Sequence, residues 1–246
     1  MCERTGTGHV GPAFSVVEIL LVLYEEVLRG TPDDAERDRL ILSKGHACAA
    51  LYAVLNRRGV IGDADFQSFA TNGSRLGHHP HLEPAIGLEA NLGSLGHGLA
   101  MAAGMAFAAR MQGSPSRFFA LLSDGETNEG SVWEAAAFAA HHRLANLSVT
   151  VDANKFQALG ATCDILDPSP HVERWSGFGW DAVEVDGHDP AALAAAYRRV
   201  GAGDRPHAVI AHTVKGKGVS FMEHQLLWHY RVPRGDEYQA ALAELA

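Results

Sequence analysis

The chain has 246 residues, 47% of them hydrophobic, which is enough to bury a full core. It carries 29 acidic against 20 basic side chains, for a net charge of −9. That balance argues against a nucleic-acid or anionic-membrane partner, since both select a basic face. Three widely spaced cysteines, Cys2, Cys48 and Cys163, fit reduced thiols better than a disulfide framework, so a cytoplasmic location is expected. The longest apolar run, 19–24, is too short to span a bilayer, and Glu3 and Arg4 do not suit a signal peptide.

Ser15-Val16-Val17-Glu18 has the form of a capping box and predicts an apolar-periodic helix to about Leu28. A polar loop (32–39), a short buried strand (40–42) and a helix (46–56) follow, with Gly59 as its stop. Residues 71–95 are rich in Gly, His, Pro and Asn with little periodicity, and a stretch of that length in a compact domain is usually functional. Then come a small-residue helix (99–111), a strand (117–122), a helix (131–142) and a strand (147–151). A helix begins at about 167. Strands near 181–185 and 208–212 flank a helix over 191–200. Strands and helices alternate throughout. The expected fold is α/β, a doubly wound, mostly parallel sheet with helices on both faces, spanning residues 1–246 as one domain.

In such folds ligands lie outside the carboxyl ends of the strands. Two such ends carry oxygen ligands: Asp124, followed by Gly125, and Asn154. They are 30 positions apart, about one βαβ unit, and the right-handed crossover brings such ends together. Hard oxygens there suit Mg²⁺ shared with phosphate oxygens, and Gly125 lets the backbone approach a diphosphate.

The pair Asp124 and Asn154 resembles the thiamine diphosphate signature, and the string from Ser123 to Ala135 resembles transketolase. Further segments agree, in the family's order: Gly8-His9-Val10-Gly11, Ser43-Lys44-Gly45-His46-Ala47, Gly93-Ser94-Leu95-Gly96-His97-Gly98-Leu99, Lys215-Gly216-Lys217-Gly218 and Trp228-His229. The resemblance runs from about residue 8 to residue 233. It implies a thiamine diphosphate-binding fold, with thiamine diphosphate and Mg as cofactors. It also implies transfer of a two-carbon ketol unit from a ketose to an aldose. Asp124, Asn154 and the backbone carbonyl of Phe156 would be the metal ligands. Gly125, His46 and His229 would hold the diphosphate, and Gly93, Ser94 and Leu95 the two rings. His9 and His79 would handle sugar or sugar phosphate substrates. Glu129 would couple paired sites at a subunit interface, while Glu126 is expected to be solvated.

The resemblance covers only the diphosphate-binding domain of a three-domain family. The pyrimidine-binding and C-terminal domains are therefore expected on a partner chain, with α₂β₂ as the simplest symmetric assembly. The family normally places a helix ahead of Gly8, where this sequence has seven residues; either that helix is lacking or the chain starts further upstream. Three departures stand out. Ser123 occupies a position that is usually Gly, with strain expected if it needs positive φ. The doubled His78-His79 leaves open which of the two serves the substrate. Tyr230 replaces a Gly and would narrow the channel mouth. Rival readings are the alpha subunit of a 2-oxo acid dehydrogenase, a deoxyxylulose phosphate synthase and a cofactor-free structural chain. A zinc site on His78, His79 and His81 lacks a fourth ligand.

Overall fold

The computed structural model describes residues 1–246. Five strands, β1 (Arg39–Ile41), β2 (Phe118–Ser123), β3 (Leu147–Ala153), β4 (Asp181–Asp186) and β5 (His207–His212), form one sheet in the order β1-β2-β3-β5-β4. Every pairing is parallel. The helices are α1 (Cys2–Thr5), α2 (Val10–Phe14), α3 (Val17–Val22), α4 (Cys48–Arg57), α5 (Asp63–Gln67) and α6 (Gly98–Met111). They continue with α7 (Gly130–His141), α8 (Thr162–Ile165), α9 (His171–Gly177), α10 (Pro190–Tyr197) and α11 (Asp236–Leu245).

Side chains alternate across each strand, and the alternation builds two cores. Phe119, Leu121, Val209 and Ala211 face α2, α3, α4 and α10. Phe118, Ala120, Leu122, Val149, Val151, Ala208 and Ile210 face α6, α7 and α9. β2 and β3 are buried on both faces, which is why β2 reads as a continuous apolar run. On β3 the first face is polar instead: Ser148, Thr150 and Asp152 are all buried there. That row ends at the site.

Several sequence expectations are corrected. Ser15 caps nothing. Its buried hydroxyl donates to the Pro12 carbonyl and to Asp152, both contacts that compete with helix continuation. The predicted helix starts at Val17 as α3 and ends in a wide turn over Leu23–Val27, and a separate short helix, α2, which carried no prediction, precedes it. The helix expected from 167 begins at His171, because Pro168 and Pro170 hold the preceding residues extended. The N-terminal segment forms one turn, α1, and α5 and α11 carried no prediction. No helix is long and apolar enough to cross a membrane.

Candidate active site

The register places Ser123 of β2 beside Asp152 of β3, so Asp124 and Asn154 emerge from adjacent strand ends. Ser123 lies in regular β2 and is absent from the residues with positive φ, so the expected backbone strain does not arise. Over these ends lies a cavity of about 400 Å³. His9, His46, His79, Gly93, Leu95, Gly125, Glu129, Asn154, Phe156, Lys215, His229 and Tyr230 are among its lining residues. Asp124 opens instead on an adjoining 220 Å³ cavity, with Lys155 and Thr162. Its carboxylate accepts from the amides of Gly125 (2.8 Å) and Lys155 (2.7 Å). Burial, and then the nearby Asp152 charge, push its pKa up to about 6. A carboxyl with so little compensation is suited to a cation.

Asp152 is treated differently. It is fully buried and accepts from Ser15 (2.8 Å), from the Asn154 carboxamide (2.8 Å), from Thr213 and from Lys44, itself fully buried. Burial alone would raise its pKa; the Lys44 charge and these hydrogen bonds outweigh that and hold it below the usual carboxylate range.

Four imidazoles converge on the cavity. The ring of His9 lies 5.3 Å from that of His46, 6.2 Å from that of His79 and 5.4 Å from that of His229. Each is held below the ordinary imidazole pKa, chiefly by burial and then by neighbouring positive or imidazole groups. His9 falls to about 4 and His229 to about 3. They are neutral at physiological pH, so each offers one donor and one acceptor. His79, not His78, lines the cavity. His78 turns away to Thr7 (3.2 Å) and packs on Phe69. Tyr230 lies over the mouth, its ring 5.0 Å from His9 and 4.6 Å from His229, and is 64% exposed.

Lys215 is the lining residue that sequence reasoning placed only in a loop. It is buried, and its ammonium lies 2.6 Å from His229 Nδ1. Burial, then the Lys44 charge, lower its pKa to about 8. Its position after β5, aimed back at the cofactor segments, was the available signal.

Glu126 corrects a second expectation. It is not solvated but completely buried, accepting from Ser43, from the Gly96 amide (2.8 Å) and from the Ser123 amide (3.2 Å). It thereby ties the 93–96 loop to the end of β2. Gly96 has φ +82°, and a Cβ there would meet Glu129 Cβ at 2.6 Å, so this loop can close only on glycine. Glu129 itself is exposed at the rim.

The donor set fits a magnesium diphosphate group. Lys215, the Gly125 backbone and the histidines suit a polyanion. His9 Nδ1 and Gln157 Nε2, both on this cavity, are buried without partners. No group of three or more His, Cys, Asp or Glu side chains is arranged to hold a metal by itself. Asp124 and Asn154 thus supply part of a shell that phosphate oxygens complete.

The family described as "Transketolase, thiamine diphosphate binding domain" matches residues 1–237. An apulose-4-phosphate transketolase subunit from Actinobacillus succinogenes is 42% identical over 241 residues, 97% of this chain and 87% of that protein. A 6-deoxy-6-sulfo-D-fructose transketolase subunit from a Clostridium species is 37% identical, covering 98% of this chain and 90% of its own length. Among solved structures, a Pichia stipitis transketolase complexed with sedoheptulose-7-phosphate superposes with a TM-score of 0.89 at 29% identity. It covers 99% of this chain, which spans 38% of it. With those strand ends, that cavity and a family match over almost its whole length, the chain belongs to the transketolase family, as its thiamine diphosphate-binding domain.

Proposed function

We propose that residues 1–246 act as one diphosphate-binding subunit of a split transketolase that moves a two-carbon ketol unit from a ketose to an aldose. The observation that carries this reading is the cavity at the ends of β2 and β3, where Asn154 and Gly125 meet Lys215 and the histidines, with Asp124 on the adjoining one. Thiamine diphosphate, when bound, supplies a nucleophilic ring carbon and an electron sink. Asp124, Asn154 and the Phe156 carbonyl hold Mg²⁺. Gly125, His46, Lys215 and His229 hold the diphosphate, and the 93–95 loop supports the rings. His9 and His79, being neutral, accept and return substrate hydroxyl protons, while Tyr230 restricts entry. Glu129, at the rim, faces a neighbouring subunit.

A partner chain carrying the pyrimidine-binding and C-terminal domains covers the cavity, most simply as α₂β₂. Two features support a partner. The mouth exposes Leu159 and Tyr230 to solvent, and the relatives above are named as subunits. Those names favour transketolase over a 2-oxo acid dehydrogenase or a structural chain. They also favour ketose substrates carrying a phosphate or sulfonate, and the three free cysteines favour a cytoplasmic location.

The test is calorimetric titration of thiamine diphosphate with Mg²⁺ into this chain alone and into its mixture with the partner, followed by a ketol-transfer assay. Tight binding in the mixture and turnover of a ketose are expected. A well-formed complex that binds no cofactor would replace this reading with the cofactor-free structural one.

A further inference from the structure

Asn154 has a carboxamide whose two ends differ in chemistry, and only the oxygen can ligate a cation. What orients it is therefore a functional question. Two neighbours settle the orientation. The Phe156 amide, which can only donate, points at Asn154 Oδ1 at 3.0 Å. The Asp152 carboxylate, which as an ion can only accept, receives Asn154 Nδ2–H at 2.8 Å. Asp152 is also where four site-bearing segments meet. Ser15 leads back through α2 to His9, Lys44 precedes His46, Thr213 precedes Lys215, and Asn154 is the fourth. Lys44 is needed to keep that carboxylate ionised where no water reaches it.

We propose that Asp152 is a positioning residue: it fixes the Asn154 carboxamide with its oxygen toward the metal side of the cavity and registers the histidine-bearing segments around it. This rests on the reading of Asn154 as a metal ligand given above. A neutral amide at position 152 weakens the charge-assisted contact to Asn154 Nδ2–H and leaves the Phe156 amide as the one charge-independent hold on the carboxamide, so the oxygen would be less firmly presented to the metal side.

The probe is Mn²⁺, titrated by electron paramagnetic resonance into the chain mixed with its partner and saturating thiamine diphosphate, well below the unfolding temperature. Asp152→Asn is expected to raise the Mn²⁺ Kd at least tenfold. Combining Asp152→Asn with Asn154→Asp should return it to within threefold of wild type, because a carboxylate at 154 offers an oxygen in either rotamer and keeps one anion beside Lys44. Thr213→Val, which removes one donor from Asp152 but leaves its contact with Asn154, should lower thermal stability and leave the Kd within twofold.

A folded Asp152→Asn complex with an unchanged Kd overturns the proposal, as does a combined variant no tighter than the single one. Should the single variant not fold, the combined one decides: recovery to within threefold supports the proposal and a tenfold loss overturns it. Absence of Mn²⁺ binding in the wild-type mixture would instead remove the proposed function, a separate result.

Discussion

Asp124 and Asp152 stand at the same end of the sheet, one strand apart, and both are buried. Asp152 has a lysine and three further side-chain hydrogen-bond donors; Asp124 has two backbone amides, a distant Thr162 hydroxyl (3.3 Å) and no cation in contact. The first is a closed internal salt, the second an acid waiting for a counter-charge. The contrast separates scaffold from ligand: where a protein supplies a buried carboxylate with its own cation the group holds structure, and where it does not the group binds something.

The comparison can be broken from either side. The largest effect is expected for Asp152→Ala, which strands Lys44 as an unpaired buried charge and should cost about 3–5 kcal/mol of stability in denaturant titration. Lys44→Met, which leaves Asp152 its neutral donors, tests whether the pair acts as a unit: a double-mutant cycle should show strong non-additivity. Next, Asp124→Ala should weaken Mg²⁺–thiamine diphosphate binding by about a thousandfold (about 4 kcal/mol) while leaving the unliganded fold intact or slightly stabilised. Calorimetry together with thermal melting checks both parts.

His207 extends the contrast to a buried group with no hydrogen-bond partner. It lies at the amino end of β5 with neither ring nitrogen partnered, and burial pushes its pKa down to about 4. The unfolded chain therefore takes up the proton first as pH falls below about 6.5, so stability declines from there to about pH 4, by up to about 3 kcal/mol from this group. His9 and His229 add slopes of the same sign. Asp124, raised to about 6, has the opposite sign, since the folded form keeps its proton longer. His207→Leu should flatten the acid limb of the stability–pH curve measured without ligand. The smallest effect is expected for Ser123→Gly. With no positive φ at that position, glycine should leave cofactor affinity within about twofold and cost only about 0.5–1 kcal/mol as a flexible residue in a strand.

Much of the architecture was legible because it is local. Apolar runs bounded by turn residues mark β2, β3 and β5, and 3.6-residue periodicity marks α4, α6 and α7. The loops of residues 71–95 carry no period, and there the sequence offered composition alone. Two of the errors share one cause. Ser15 reads as a cap and Glu126 as a solvated carboxylate because both are polar and stand beside glycines or helix starts. What overrules each is a partner more than eighty residues away, Asp152 for Ser15 and Ser43 for Glu126.

The residue types and their order along the chain determined the strand ends at Asp124 and Asn154, the family, and the segments that meet at the cavity. The strand ends are a matter of backbone periodicity and spacing, and the family of the motifs the chain shares with it; a chain carries both in itself. Only the tertiary structure decided which of two neighbouring histidines faces the cavity, that Lys215 belongs to it, and that Asp152 is a closed salt while Asp124 is open. Those differences lie in which side chains meet across the sheet. A buried charge takes its character from that company, which its own sequence neighbours do not specify.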